Sequence, residues 1–336
     1  MKKEKEIIKQ NVGLDVSKDD VKVALSNLTT DYHVVVCSTH TFSNTNKGFQ
    51  ELHKWLNGKI QSTLPVHFTM EATGVYYEGL AYFFYERSYC LHVVLPNYAK
   101  KYGQSLGIKS KTDKLDARIL AQMGLERELR LWQPVSPALL GLKQLTRERN
   151  TLVCSRTAAA NHLHSYRHQG KPNKESIART LKHISFLDRQ VKEIESEITN
   201  FINRDKDLKI RIEYLLSIPG VGLLTAAVVV AETNGFAAIG SIKQLTSYAG
   251  LDVRIAESGT WKGKSKISKR GNSHIRKALF MPSLSQKTHD PTTKQFYDRL
   301  KEKKGIGMVA AVAVERKLLG LMFALWKKEE MYRPAS

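Results

Sequence analysis

The chain is 336 residues long, room for about two domains at roughly 100–200 residues each, and it is 42% hydrophobic and 25% charged, a globular composition. Lys and Arg number 53 against 32 Asp and Glu, a formal net charge of +21 with pI ≈ 9.8, so a polyanionic partner is expected, nucleic acid first; no membrane partner is expected. Three scattered cysteines (Cys37, Cys90, Cys154) exclude a disulfide framework and a cysteine-based zinc site and fit a reducing cytosol; the start MKKEKEIIKQNVG lacks the apolar core of a signal peptide, and residues 223–231 are too short to span a bilayer at about 20 residues.

In chain order, NVGLDVS, VKVALS and HVVVCSTHTF read as three strands joined by polar turns. GFQELHKWLNG reads as a helix, VHFTM (66–70) as a strand, YYEGLAYFFYE as a helix, and LHVVL (91–95) as a strand closed by Pro96. Three strands followed by helix–strand–helix–strand predict a mixed sheet covered by helices. From Leu139 the period changes. Leu142, Leu145, Leu152 and Leu163 mark one helix, and Lys171-Pro172-Asn173 breaks it. Ile177, Leu181, Ile184, Leu187, Val191, Ile194, Ile198 and Phe201 then form a coiled-coil-like stripe, either one arm of a helical hairpin packed on its own domain or a dimerising surface. After Ile212 come a helical segment opening with SIPGVGLLTAA, a loop-rich basic stretch (257–277), and further helices to the end.

Four acids stand out. Asp15 lies in the first strand, Glu71 directly after VHFTM, and Asp113 and Asp116 in KTDKLDARILA, where a spacing of three puts both on one helix face. Each alone reads as a turn, cap or solvated residue, and Asp113 also suits a helix N-terminus. Together, as negative spots in a strongly positive chain, they could converge at the end of a sheet. Two Mg²⁺ ions held there would stabilise the attacking and leaving oxygens of a phosphodiester.

These segments carry a resemblance. GLDVSK, MEATGVYYEGL and KSKTDKLDARILA resemble the DEDD signature of the insertion-sequence one-ten family of transposases, in the same order and over nearly the whole chain. The resemblance implies a RuvC-like domain of the ribonuclease H fold, with Asp15, Glu71, Asp113 and Asp116 as catalytic ligands of Mg²⁺ (Mn²⁺ as an alternative). It also implies that a serine in AGLDVRIAESG, followed by ISKRGNSHIRKAL, is the nucleophile that forms a phosphoserine link to DNA. That serine is Ser258; Val253 departs from the proline that many relatives carry. From the residues alone, Ser258-Gly259 reads as a turn, and Ser265, Ser268 and Ser273 are rivals that no glycine follows.

Pro219, Gly220 and Gly222 resemble a helix–hairpin–helix turn whose amides could hold a phosphate; the plainer alternative is a glycine turn between core helices. From Ser258 to Lys277 there are seven Lys/Arg and no acid, and Lys262, Lys264, Lys266, Lys269, Arg270, Arg276 and Lys277 are expected to face phosphates. Lys100, Lys101, Lys109, Lys111 and Lys114 form a second basic stretch, with Tyr98 and Tyr102 placed to stack on bases.

The expected architecture is α/β plus all-α: a RuvC-like mixed-sheet DEDD domain over 10–135, a coiled-coil helical hairpin over 136–207, and a small, mainly α-helical C-terminal domain with the helix–hairpin–helix-like turn and the serine over 208–332. The expected function is an insertion-sequence DNA recombinase in the bacterial cytoplasm, associated with the nucleoid. By resemblance its partners are donor and target DNA and a structured non-coding guide RNA. It would be a homodimer, tetrameric at synapsis, with acids from one subunit and serine from another. A metal-dependent nuclease using water and a non-enzymatic nucleic-acid-binding protein are the alternatives. An actin-like sugar kinase ranks last, because no GxxxxGK[ST] loop is present.

Overall fold

Period-two alternation gives way to period 3.6 at the point where the molecule changes architecture. The computed structural model describes residues 6–107, 113–237, 239–254, 257–258, 261–263 and 266–333; at 113–115, 257, 261 and 262 the backbone alone is described. Two compact units result, Met1–Pro134 and Val135–Ser336.

In the first unit the three early strands are β1 (Ile7–Val16), β2 (Asp20–Thr29) and β3 (Val34–Ser43), antiparallel neighbours. Helix α1 (Asn46–Asn57) is capped by the Thr45 hydroxyl, which accepts from Gly48 N. Strand β4 (Val66–Glu71), α2 (Glu78–Tyr85) and β5 (Cys90–Val94) follow, then α3 (Pro96–Ser105) and α4 (Asp113–Glu126). Strands β4 and β5 join in parallel, giving one mixed sheet in the order β3-β2-β1-β4-β5. That is the mixed, helix-covered sheet the element order predicts.

Side-chain alternation decides what each face of the sheet meets. Val12, Leu14, Val23, Phe68 and Met70 face a core completed by Phe49, Leu52 and Leu56 of α1 and Leu80 and Phe84 of α2. The opposite face carries small residues, and Gly13 and Ala24 lie there beneath Ala117 and Ala121 of α4.

In the second unit Ser136 caps α5 (Pro137–Arg167) and Asn173 caps α6 (Lys174–Arg204), 31 residues each, and the two pack together as a hairpin about 46 Å long at 1.5 Å per residue. The break at Lys171-Pro172-Asn173 is where the sequence puts it. The apolar stripe is consumed inside this unit: Leu187, Ile194, Ile198 and Ile202 are buried, and Ile194, Ile198 and Ile202 share a core with Leu142 of α5. Arg149 Nε donates to Glu195 (2.7 Å) and Arg156 Nε to Asp188 (2.9 Å) across the hairpin. Of the stripe itself only Leu181 is exposed, with Phe186 exposed beside it.

Helices α7 (Lys206–Leu216), α8 (Leu223–Glu232) and α9 (Ile242–Tyr248) complete that core with α10 (Ser273–His289) and α12 (Gly307–Lys328); α11 (Pro291–Lys304) lies between them in sequence. Between α9 and α10 the stretch read as loop holds two short ladders instead. Strand β6 (Val253–Arg254) pairs with β9 (Lys266–Ile267), and β7 (Glu257–Ser258) pairs with β8 (Trp261–Lys262). Among the described residues no helix is long and apolar enough to cross a membrane.

Candidate functional site

Parallel pairing of β1 with β4 aligns Leu14 with Met70. One residue further along each strand stand Asp15 and Glu71, side by side at the same end of the sheet. Period two puts Asp15 on the face of Asn11 and Gly13, and Glu71 on the face of Thr69. That is the face α4 crosses. A Cβ at Gly13 would lie 2.0 Å from Ala117 O, and one at Gly124 would lie 2.0 Å from Asn11 Nδ2 and 2.3 Å from Thr69 Oγ1. Helix α4 therefore runs against the direction of β1, with Gly124 over Asn11 and Ala117 over Gly13.

Its first turn then arrives over the acids. From Asn11 to Asp15 is about 13 Å at roughly 3.3 Å per strand residue, a distance that helix covers in about nine residues at 1.5 Å each. Counting nine back from Gly124 reaches the turn that carries Asp113 and Asp116. Asp15, Glu71 and Asp116 are half-buried, as open ligands of an ion would be. Glu71 accepts from Thr73 Oγ1 (3.4 Å), and Asp15 pairs across the ladder with Lys22. The donor set is hard carboxylate oxygen, which suits Mg²⁺ over a thiolate- or imidazole-loving metal. Among the described side chains, which exclude that of Asp113, no three acids, histidines or cysteines are already gathered closely enough to hold a metal.

Ser258 is exposed, and it is the last paired residue of its strand, opposite Trp261, before the connection at 259–260. A nucleophile that must meet a phosphodiester needs that exposure. Its rival Ser268 is half-buried and committed: its hydroxyl donates to Asp252 and accepts from Arg270 N (3.3 Å). Ser273 opens α10, exposed, and Ser265 lies outside the described residues.

Gly220 adopts φ +83, a left-handed turn packed beside Ser285, and Gly222 is the N-cap of α8, with no side-chain capping bond. Both glycines are exposed, as a phosphate contact requires. The basic run is divided. Lys266, Lys269 and Arg270 are exposed; Lys262 is described in backbone alone, and Lys264 lies outside the described residues. Arg276 differs from expectation: its Nη1 donates to Ala249 O (2.7 Å) and Gly271 O (3.2 Å), holding the two roots of the hairpin segment together. Lys277 donates to Asn150 Oδ1 (2.6 Å) on α5. In the first unit Lys100 and Lys101 are exposed, Lys109 and Lys111 lie outside the described residues, and Lys114 is described in backbone alone. Tyr98 is exposed, but Tyr102 is 6% exposed and donates to Glu126 Oε2 (2.7 Å). It is a packing residue, unable to stack on a base.

The sequence reading missed Glu232, which closes the apolar run LLTAAVVVAE. Its buried carboxylate accepts from Arg147 Nε (2.7 Å), Arg147 Nη2 (3.0 Å) and Asn272 Nδ2 (2.7 Å), while Tyr248 donates to its carbonyl (2.8 Å). Burial pushes this carboxyl up, but the bonds from Arg147 and Asn272 outweigh that and hold it below the usual glutamate range. Tyr248 and Asn272 stand at the two ends of the excursion carrying β6–β9, and Asn272 N donates to Tyr248 O (2.8 Å). An acid ending an otherwise apolar run was the available signal.

Residues 12–171 match a DEDD transposase model of the IS110 type, and residues 212–298 match the model of the IS116/IS110/IS902 family of transposases. A pilin gene-inverting protein of Moraxella lacunata is 29% identical over 96% of this chain and 98% of its own. A protein of the same description from Moraxella bovis is 31% identical over 87% of this chain and 89% of its own. A transposase for insertion sequence element IS1111A, from Coxiella burnetii, is 26% identical over 72% of each. Among solved structures, T. thermophilus RuvC in complex with a Holliday junction substrate is matched over 37% of this chain and 99% of its own, at 8% identity and a TM-score of 0.28, an overlap too slight to bear on fold or function.

Proposed function

The chain belongs to the IS110 family of transposases, and on that premise we propose that it cuts and rejoins DNA through a covalent phosphoserine intermediate. What supports this reading is that Asp15 and Glu71 stand on neighbouring parallel strands at one end of the sheet, and that α4, which opens at Asp113, packs across that face and runs against the direction of β1. The strand order 3-2-1-4-5, antiparallel and then parallel, supports the RuvC-like reading of that unit. Relatives described by gene inversion and by insertion-element transposition share one operation, the exchange of DNA strands.

Asp15, Glu71, Asp113 and Asp116 are the residues that would hold Mg²⁺. Bound there, it would supply Lewis acidity to the scissile phosphate. Ser258 Oγ attacks phosphorus: a serine–phosphate bond forms, the bond to one deoxyribose oxygen breaks, and that hydroxyl leaves with the proton. A hydroxyl of a second strand then attacks the phosphoserine and releases the serine, so the phosphoester is conserved throughout. Lys266, Lys269, Arg270 and the turn at Gly220–Gly222 bind the backbone without reading sequence. Acids from one subunit and serine from another, a dimer that becomes a tetramer at synapsis, and a structured non-coding guide RNA complete the proposal on family grounds.

The test is covalent trapping. The protein is expressed with its native flanking DNA, complexes are denatured, and DNA still attached to protein is detected. The expected result is an adduct in wild type that is absent from Ser258→Ala and reduced on the order of 10²–10³-fold or more in Asp116→Ala, the scale of losing one charge-stabilising group. Strand breaks that persist in Ser258→Ala with no adduct would replace this mechanism with hydrolysis by water.

A further inference from the structure

The α5–α6 hairpin distributes its charge unevenly. Over 137–156 and 184–204, its root, seven Lys/Arg face five Asp/Glu, and pairs such as Arg149–Glu195 and Arg156–Asp188 cross between the helices. Over 157–183, its tip, there are five Lys/Arg and four of the chain's eleven histidines against one acid, Glu175. Like charges on neighbouring helical turns repel, so the tip's surplus works against the hairpin's own stability and is left for a partner to neutralise.

A groove of about 300 Å³ opens between the helices at this tip. Its floor is Ala159; His162 and Tyr166 of α5 and Arg179, Thr180 and His183 of α6 form its walls. Nearby, Thr180 Oγ1 donates to Ser176 O (2.8 Å) and Arg179 Nη2 to Ser176 Oγ (3.1 Å), while Glu175 stands 3.9 Å from the Arg179 guanidinium. The His162 and Tyr166 rings stack at 6.3 Å. A forked guanidinium, two imidazoles and a phenol over an apolar floor form a donor-rich set that suits a phosphate with its sugar.

We propose that this groove binds the phosphodiester backbone of a nucleic acid, at a site that shares no residue with the acid cluster or the serine hairpin. Arg179 supplies the fixed charge, and Lys171, Lys174 and Lys182 extend the track along the tip. The inference rests on the chain being a nucleic-acid enzyme. It does not rest on the phosphoserine, because it is read by binding in EDTA, where metal-dependent cleavage is off.

The experiment measures anisotropy of the full chain with a labelled 30-bp duplex DNA and a matched duplex RNA, over a salt series, for wild type, His162→Ala/Arg179→Ala/His183→Ala and Arg179→Lys. The expected result is about tenfold weaker binding of at least one polymer by the triple variant, with a log–log salt slope shallower by about 1. The polymer that loses more identifies the occupant. Arg179→Lys keeps the slope but weakens binding, since it retains charge and loses the fork. Root variants Arg189→Ala and Lys192→Ala leave both unchanged. All these positions are solvent-facing, and far-ultraviolet circular dichroism checks that the helices persist. Should the triple variant fold poorly, Arg179→Lys carries the test by itself. Wild-type affinity and slope for both polymers in the triple variant would overturn the proposal. So would an effect confined to sedimentation mass, which would assign the groove to a second copy of the chain.

Discussion

The two units hold their chemical groups by different means. In Met1–Pro134 the elements that carry the acids are fixed by close packing: Gly13 admits the Ala117 carbonyl, and Gly124 admits the Asn11 and Thr69 side chains. In Val135–Ser336 the serine sits on ladders two residues long, and their root is gripped by a buried carboxylate, a guanidinium and an asparagine. On the proposed mechanism the acids, as metal ligands, need a geometry set before the substrate arrives, and close packing provides it at any pH. The serine, as a nucleophile delivered on an exposed hairpin, needs a firm root more than a rigid tip, and polar groups provide that root at the cost of sensitivity to charge. Steric changes should therefore damage the first unit most, and charge changes the second.

The largest effect on stability is expected for Gly13→Ala. The new Cβ meets Ala117 O at 2.0 Å and Ala121 N at 2.4 Å, both backbone atoms that move only if α4 lifts. Overpacking of this kind costs about 1–3 kcal/mol or more, measured as a shift in the urea midpoint. Because α4 carries Asp113 and Asp116, strand cleavage should fall in the variant even under conditions where it is fully folded. Normal cleavage would show that α4 can rise off β1 without moving the acids, and the contrast between units would fail at its first premise.

Next is Glu232→Ala, which removes the acceptor of Arg147 and Asn272. Arg147 is half exposed and water can take over part of its solvation, so the expected loss is about 1–3 kcal/mol. The sharper readout is functional: adduct yield should drop while DNA affinity stays at the wild-type value, since the root is loosened and the exposed lysines are untouched. The sign of the pH dependence follows from the depressed carboxyl. Its contribution is present above the ordinary glutamate value of 4.5 and is lost as pH falls through the lower folded value. The stability gap between wild type and variant should therefore close in acid.

How much of this was legible depended on range. The mixed sheet was readable because Val12, Leu14, Val23, Phe68 and Met70 alternate locally; the four acids, each of which alone reads as a turn, cap or solvated residue, stood out through the resemblance of their segments to the DEDD signature. That Gly13 and Gly124 are points of contact was not readable, since a glycine's neighbour across a tertiary interface leaves no local pattern. Tyr102 was misjudged from the lysines beside it, although Ala99, Tyr102 and Leu106 share the spacing of a helix's inner face. The stripe on α6 showed that a helix would cover it without saying which, and its partner was α5, one turn away in the chain. A basic run such as 262–277 likewise counts charges without showing which are spent. Arg276 is bound to two carbonyls and Arg270 is exposed, and only the fold separates them.

The smallest expected effect sharpens the contrast most, because it changes one proton. Glu315 lies on the inner face of α12 among Ala311, Val314, Leu318 and Leu319, and burial raises its carboxyl to about 7 against a partial offset from Arg276. A raised carboxyl holds its proton more tightly folded than unfolded, so its contribution is fully present below the unfolded value of 4.5 and is lost as pH rises through about 7. Glu315→Gln keeps the shape and removes the titration. It should match wild type at pH 4.5 and exceed it by about 1–2 kcal/mol at pH 8, measured by urea denaturation at both values. The first unit supplies the control, since Gly13→Ala should cost the same at either pH. If Glu315→Gln were instead less stable than wild type at pH 8, the carboxylate would be charged and paired with Arg276. The hairpin root would then be gripped by two ion pairs, which would widen the difference between the units.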